Sequence, residues 1–400
     1  MKQLSVLHVI PSISQRHGGP SVALPLFARA LAPYDVKVTI ATTDDDGPDG
    51  RLDVPLNEVV SGPGESDHIY FRKNTEFYKI SWTLARWLTR HVADYDLVHI
   101  HALFSFSSFV AARAARRAHI PYIVRPLGVL NEWGMKNRRR LLKRWSLKMV
   151  ELPIMRGAAA IHYTAEAEQR EAVKAHPEIV SFSSIIIPIP IGDAQRGDAA
   201  LFHRRFPTAA GRRIILFLSR LDPKKGVELL LSAFAEIRGK LPDALLVIAG
   251  SGEEGCTKNL QQKAHELGCD KDILWPGAVT GEEKAALFAA AALFVLPSFS
   301  ENFGIAAAEA LAAGIPSILS DQVAIAQDAN AANAALIVPC ETAAIAGAMR
   351  KLLGHEALRD DFGARGRGFI KERFSQEAIG GRLAELYRNV VKERTPTCST

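Results

Sequence analysis

Leu296-Pro-Ser-Phe-Ser-Glu301-Asn-Phe-Gly304-Ile-Ala-Ala-Ala-Glu309-Ala-Leu-Ala-Ala-Gly314-Ile-Pro-Ser reads as a strand end, a loop and a helix in direct succession. Ala291 to Pro297 is a short apolar run of strand type, Gly304 breaks the loop, and the Ala/Leu-rich run Ile305 to Ala313 is a helix that Gly314 and Pro316 end. A helix starting at the mouth of a sheet offers N–H groups without intrahelical partners and partial positive charge, so the junction suits a diphosphate. Glu301 lies just before the junction. Glu309 lies one turn in, where a carboxylate can accept two hydrogen bonds from a vicinal diol such as a ribose. Acids near a helix start can also do no more than answer the dipole.

The same grammar occurs earlier, in Ile214-Ile-Leu-Phe-Leu-Ser-Arg220-Leu-Asp-Pro-Lys224-Lys225-Gly226-Val-Glu-Leu-Leu-Leu. Here the junction carries cations. Arg220 at the strand end and Lys225 at the helix start can neutralise a diphosphate, Arg through a planar fork and Lys as a point charge. Taken alone, either cation could sit in a solvated basic turn. Taken together, both motifs fall at carboxyl ends of strands in one half of the chain, where open α/β sheets bind ligands.

Arg220 and Lys225 in Ser-Arg-Leu-Asp-Pro-Lys-Lys-Gly, followed by Glu301 and Glu309 eight apart, resemble the signature of retaining family 4 glycosyltransferases. The segments Val247-Ile-Ala-Gly250-Ser-Gly252-Glu253 and Leu274-Trp-Pro-Gly277-Ala-Val279 are similar to that family's donor-domain segments, and the likeness runs from Arg212 to the C-terminus. The resemblance implies an α/β protein of the GT-B fold, two doubly wound Rossmann-like domains with parallel sheets facing an interdomain cleft. It implies a UDP- or GDP-linked sugar as donor and a saccharide or lipid-linked saccharide as acceptor. By the same resemblance, Glu309 binds the ribose, Glu301 the sugar hydroxyls, and Arg220 and Lys225 the diphosphate. The amides of Asn302, Phe303, Gly304 and Ile305 complete the anion site, and base contacts come from Gly250 to Glu253 and around Val279, largely through backbone.

Length and composition agree. A chain of 400 residues predicts about two domains, and 48% hydrophobic with 23% charged residues are globular values. We expect an acceptor-binding domain over 1–190, a linker over 191–211, a nucleotide-sugar domain over 212–375, and a last helix over 376–400 that by resemblance crosses back to the first domain. Cys256, Cys269, Cys340 and Cys398 are scattered without zinc-ligand spacing, which reads as reduced thiols in a cytosolic protein. Leu4 to Ile10, after Lys2, is too short for a signal peptide and reads as a first buried strand; no later run approaches the roughly 20 apolar residues of a membrane span.

Strand-like runs in the first half fall at Leu4 to Ile10, Val36 to Thr42, Leu97 to Ile100, Ile120 to Val124 and Ala158 to Tyr163, with Ser183 to Gly192 as a last extended segment. Gln15-Arg-His-Gly18-Gly19-Pro20 follows the first strand and precedes a helix. It is either a tight turn or a backbone approach to ligand; it is no GxGxxG fingerprint, which disfavours a dinucleotide oxidoreductase. The resemblance implies that this loop lies near the donor phosphates and the acceptor. His99 and His101 alternate on one strand face. With no further ligands nearby, His99 reads as packed or hydrogen-bonded rather than metal-bound, and the family pattern puts His101 beside the donor sugar. Arg125 ends another strand and either meets a phosphate or forms a surface ion pair. Asp44-Asp-Asp46, before Gly47-Pro-Asp-Gly50, reads as a solvated loop rather than a metal site, because Arg220 and Lys225 already supply the neutralisation. No metal and no cofactor is expected.

Lys136 to Lys148 is a basic helix with Leu141, Leu142, Trp145 and Met149 at helical spacing. It can lie on anionic lipid, which would make the protein peripheral on the inner face of the cytoplasmic membrane, or it can pack on its own domain with a solvated basic face. The pI of about 9.1 has no nucleic-acid motif or interleaved stacking aromatics behind it, so nucleic acid is excluded. The competing readings are a sugar-nucleotide epimerase or a phosphorylase of the same architecture, and a catalytically silent carbohydrate-binding scaffold. Release of nucleoside diphosphate separates the last of these from an enzyme.

Overall fold

A computed structural model describes residues 3–131, 140–194, 196–252 and 255–394. The chain divides into two compact units, Met1–Pro190 with Gln376–Thr400, and Ile191–Ser375. Each is an α/β unit built on a parallel sheet.

The first sheet holds β1 (Leu4–Val9), β2 (Val36–Thr43), β3 (Val59–Gly62), β4 (Ser66–Phe71), β5 (Leu97–His101), β6 (Tyr122–Arg125), β7 (Ala160–Tyr163) and β8 (Ser184–Ile186), in the order β3-β4-β2-β1-β5-β6-β7-β8. Only β3 runs antiparallel, against β4. Central strands such as β1 and β5 are buried almost throughout, as expected of a sheet covered by helices on both faces. β3 and β4 were absent from the sequence expectation. Val59-Val-Ser-Gly and Ser66-Asp-His-Ile-Tyr-Phe mix polar and apolar residues as edge strands do, so they lack the continuous apolar signal of the centre.

The C-terminal helix Gln376–Arg394 belongs to this unit and packs on the helix Gly19–Leu31. Ile379, Leu383 and Tyr387 are fully buried. A Cβ at Gly380 would lie 1.9 Å from the carbonyl oxygen of Ala30, so the two helices meet too closely for any side chain there.

The second sheet holds β9 (Arg213–Leu218), β10 (Ala244–Ala249), β11 (Ile273–Gly277), β12 (Ala291–Leu296), β13 (Ser317–Ser320) and β14 (Leu336–Val338), all parallel, in the order β11-β10-β9-β12-β13-β14. The connections reverse direction between β9 and β12, which places a crevice at their carboxyl ends. Residues 191–211 are not a bare linker. Ile191 bridges Ser375, and the helix Ala199–Arg205 buries Phe202 while packing on the helix Gly281–Ala290. Alternation of strand and helix is hard to see in so short an element, because seven residues give less than two turns of pattern. Among the described residues no helix is long and apolar enough to cross a membrane.

Candidate active site

In the second unit, four loops converge at the carboxyl ends of β9, β10, β11 and β12. The N–H of Phe299 donates to the carbonyl of Lys224 at 2.7 Å, joining the loop after β12 to the loop after β9. Leu221 N–H donates to the carbonyl of Ser251 at 2.8 Å, and Gly250 N–H to that of Gly277 at 2.7 Å. Two glycines make the close passage possible. Gly226, at φ 68°, starts the helix Val227–Arg238, and a Cβ there would lie 2.1 Å from the Pro297 carbonyl oxygen. Gly304, at φ 93°, caps the helix Ile305–Ala312.

Lys225 is buried, and its ammonium donates to Glu301 Oε2. The two residues that the sequence proposes for diphosphate and sugar are thus ion-paired with each other. Glu301 is held by its own backbone, whose N–H donates to Gln322 and whose carbonyl accepts from Ala324. Arg220 is exposed at the end of β9. Lys224 lies beside Arg220 and Lys225; burial, then those neighbouring cations, push its ammonium below the ordinary lysine value. Asp222 and Glu301 oppose that shift without overcoming it. Glu309 sits on the inner turn of its helix and accepts from Lys284 Nζ at 2.7 Å.

Phe303 is buried, its ring edge-on to Phe374 at 5.7 Å, so its side chain is turned to packing. Val279 lines an apolar pocket with Phe202, Phe206, Pro276 and Leu287, which turns its side chain to packing. Gly250 and Gly252 lie in the turn joined to Ser219–Leu221. Glu253 lies outside the described residues, as do Lys136 to Arg139 of the basic helix and Cys398.

In the first unit, Gly18 at φ 73° ends the turn Gln15–His17 and caps the helix Gly19–Leu31, with Pro20 in its first turn. The sequence expectation of a solvated Asp44–Asp46 loop is corrected here. All three carboxylates are partnered, and Asp45 is buried, accepting from Lys73 at 2.8 Å, Lys79 at 2.7 Å and His17 at 2.9 Å. Burial pushes this carboxyl up, but the bonds from His17, Lys73 and Lys79 outweigh it and hold Asp45 well below the usual carboxylate range. Asp46 pairs with Arg16 and Ser14. The acidic run is bonded to the segment Ser12–His17 that leads into the glycine loop, a contact made by the parallel pairing of β1 with β2 and so hidden by sequence separation.

His101 ends β5 and stands beside Arg125, its register partner at the end of β6. Neither is at the surface. Arg125 is buried with its guanidinium 5.0 Å over the ring of Phe27, and its Nε and Nη1 have no hydrogen-bond partner, which removes the surface ion-pair reading. Burial lowers its pKa to about 10. His101 Nε2 lies 3.1 Å from His8 Nδ1, and the Tyr387 hydroxyl lies 3.1 Å from His8 Nε2 and 2.7 Å from His99 Nδ1. His162 Nδ1 lies 3.3 Å from His99 Nε2, and its Nε2–H donates to the Ile187 carbonyl at 2.6 Å. His99 is thus hydrogen-bonded on both nitrogens.

Among the described residues, His8, His99 and His101 are the trio close enough to share a metal ion, their ligand atoms lying within 4.8 Å of one another. The surroundings do not favour a cation. Both nitrogens of His8 and His99 are already engaged, and burial together with the charge of Arg125 pushes His8 down to about 3. A further positive charge would meet the same opposition. Sequence spacing could not reveal this trio together with His162 and Tyr387, because the five residues come from β1, β5, β7 and the last helix.

Lys284, His8, Tyr387 and Asp45 are the partners that the sequence reading missed. The segment Arg140–Ser146 is helical and continues into a π-helical turn, Leu147–Glu151. Its Leu142, Trp145 and Met149 are exposed, Trp145 and Met149 at 62% each.

The family Glycosyl transferases group 1 matches residues 199–369, and the Glycosyl transferase 4-like domain matches residues 18–178. An uncharacterized glycosyltransferase of Methanocaldococcus jannaschii is 29% identical over 188 residues, about half of each protein at 47% of this chain and 47% of that one. The phosphatidyl-myo-inositol mannosyltransferase of Mycobacterium leprae is 26% identical over 347 residues, covering 84% of this chain and 86% of the relative. The solved structure of Anabaena HepE, in complex with UDP and glucose, superposes with a TM-score of 0.76 at 17% identity, covering 96% of this chain and 99% of that one, which speaks to the fold alone. With both units matched and the two parallel sheets in place, the chain belongs to the family 4 glycosyltransferases of the GT-B fold, and it is a glycosyl-transferring enzyme.

Proposed function

We propose that the chain is a retaining glycosyltransferase that moves a hexose-type sugar from a UDP- or GDP-linked donor to a saccharide or lipid-linked saccharide in cell-surface polysaccharide biosynthesis. The observation that carries the reading is the Lys225–Glu301 ion pair between the loops that follow β9 and β12 at the switch point, with Arg220 at the end of β9 and Glu309 one turn into the helix after β12. No folding requirement asks for a cationic strand end, a buried lysine and two acids around one helix start. Lys225 and Arg220 take the diphosphate with the amides of Asn302 to Ile305, Glu301 the sugar hydroxyls, and Glu309 the ribose. Gly250, Gly252 and Val279 supply backbone to the base. Within the first unit, Gly18, Gly19, His101 and Arg125 are the candidate ligand contacts, Arg125 for an anionic group. HepE binds UDP and glucose, and the mycobacterial relative is a mannosyltransferase; both fit such a donor.

The transfer breaks the bond from the anomeric carbon to the diphosphate oxygen and forms one to the acceptor oxygen. In a front-face route the leaving phosphate takes the acceptor proton, so glycoside and nucleoside diphosphate are the products. Arg220 and Lys225 stabilise the charge that develops on departure, in the role a divalent metal would fill, so neither metal nor cofactor is required.

A thermal-shift panel of UDP, GDP and their sugar conjugates, with and without chelator, tests the donor site. Ligand at one hundred times its dissociation constant stabilises by roughly 2.7 kcal/mol. The expected result is a chelator-insensitive shift with one base, lost in Glu309→Ala; no shift with any nucleotide overturns the reading. The anomeric configuration of the product, read by NMR, tests retention.

The exposed apolar face of Leu142, Trp145 and Met149, flanked by Arg144 and Lys148, favours an anionic membrane surface as the place of work on the cytoplasmic side. Tyr78 bonds to Ser146 and Glu151, and its chain neighbour Phe77 is exposed. Flotation with phosphatidylglycerol vesicles, absent with phosphatidylcholine alone and lost in Trp145→Ser, is expected; equal behaviour with both lipids counts against it.

A further inference from the structure

Lys284 lies in the first turn of the helix Gly281–Ala290, just after Val279 and Thr280 at the carboxyl side of β11. Its ammonium reaches a different helix, Ile305–Ala312, and donates to Glu309 Oε1 at 2.7 Å. The two side chains are 29% and 23% exposed, so the pair is neither a solvated surface contact nor a core bridge. It also spans two elements rather than one helix face, which fixes where the carboxylate can stand.

We propose that Lys284 is a positioning residue of the donor site, holding the Glu309 carboxylate in the orientation that receives the two ribose hydroxyls; this rests on the ribose reading of Glu309. A glutamate side chain left free gives up about 1.5–2 kcal/mol of rotamer freedom when a ligand orders it. Anchoring Oε1 removes part of that cost before the nucleotide arrives, and Oε2 together with the remaining lone pair of Oε1 stays available to accept from hydroxyls. A lysine donates and cannot accept, so within this pair the Glu309 carboxylate is the acceptor. The same loop, Val279–Thr280, leads from the proposed base contacts into Lys284, so base and ribose recognition share one rigid helix start.

Calorimetric titration with the tighter-binding of UDP and GDP, and with its 2′,3′-dideoxy analogue, tests this on the full chain. Wild type is expected to prefer the ribonucleotide, and Lys284→Met to lose about fivefold of that preference, the factor for an ion pair near the top of the surface range. Lys284→Arg should restore it. Glu309→Gln should abolish the preference with or without Lys284→Met, so the two losses do not add. Equal weakening of both nucleotides by Lys284→Met, or no weakening, overturns the proposal while leaving the ribose reading intact. A wild-type protein that does not discriminate the two nucleotides removes the ribose reading and the proposal together. Unchanged thermal unfolding of Lys284→Met accompanies the expected result.

Discussion

Gly226 and Pro297 touch without room for a single carbon between them: a Cβ on Gly226 would stand 2.1 Å from the Pro297 carbonyl oxygen. That contact, with the bond from Phe299 N–H to the Lys224 carbonyl, brings a cationic loop against an acidic one. The proposed donor site is therefore a product of backbone proximity before it is a set of side chains.

Gly226→Ala should damage fold and binding together. The residue sits at φ 68°, which costs a side chain about 1 kcal/mol or more, and the clash adds to it. A total loss of roughly 2–4 kcal/mol is expected, read as a lower unfolding midpoint in urea. A variant with wild-type stability would show that the loops can separate.

Glu309→Ala should behave in the opposite way. The side chain is part-exposed and the helix Ile305–Ala312 does not need it, so unfolding should shift by about 0.5 kcal/mol or less while glycosyl transfer falls by tenfold or more. Activity assays beside thermal melts separate the two effects, and a matching fall in stability would make Glu309 structural.

The buried histidines predict an acid-labile first unit. Burial first, and the charge of Arg125 among the further causes, push His8 and His162 down to about 3 and hold His99 and His101 well below the ordinary value near 6.5. These depressed values favour the neutral rings in the folded state, while the unfolded chain takes up protons near pH 6.5. Stability is therefore complete above pH 6.5 and falls as pH drops toward 3, by up to about 1.4 kcal/mol per pH unit for each histidine. Urea midpoints measured between pH 7.5 and 5 sample this slope before most carboxylates titrate. A flat profile there would falsify the neutral-cluster description.

Tyr387→Phe tests the centre of that cluster. Its hydroxyl serves both His99 and His8, and deleting it leaves buried nitrogens without a partner. A loss of about 1–3 kcal/mol is expected, with the helix Gln376–Arg394 loosening first in hydrogen exchange. Protection equal to wild type would mean that water or a ring flip satisfies the two histidines.

Ile248→Asp should unfold the second unit, since Ile248 is buried in β10 between β9 and β11 and the new carboxylate would have no partner. Soluble, folded protein with this substitution would contradict the assigned core.

Much was written locally. Ile214 to Leu218 and Ala291 to Leu296 are unbroken apolar runs followed by Gly and Pro, so strand, turn and helix start follow from sequence period and backbone preference alone. The positions of Arg220, Lys225 and Glu301 near element boundaries, and of Glu309 one turn into its helix, were legible for the same reason. What the sequence did not carry were relations between distant segments. Lys284 is an ordinary lysine until its helix lands beside Glu309, Asp45 an ordinary loop acid until Lys73 and Lys79 fold over it, and His8 unremarked until β1 pairs with β5. Charge and hydrogen bonding act over a few ångströms in space without regard to separation along the chain. The sequence by itself determined the alternating strands and helices and the boundary residues of the loops after β9 and β12; only the tertiary structure decided which charges are buried, which are paired, and which side chains remain to meet a substrate.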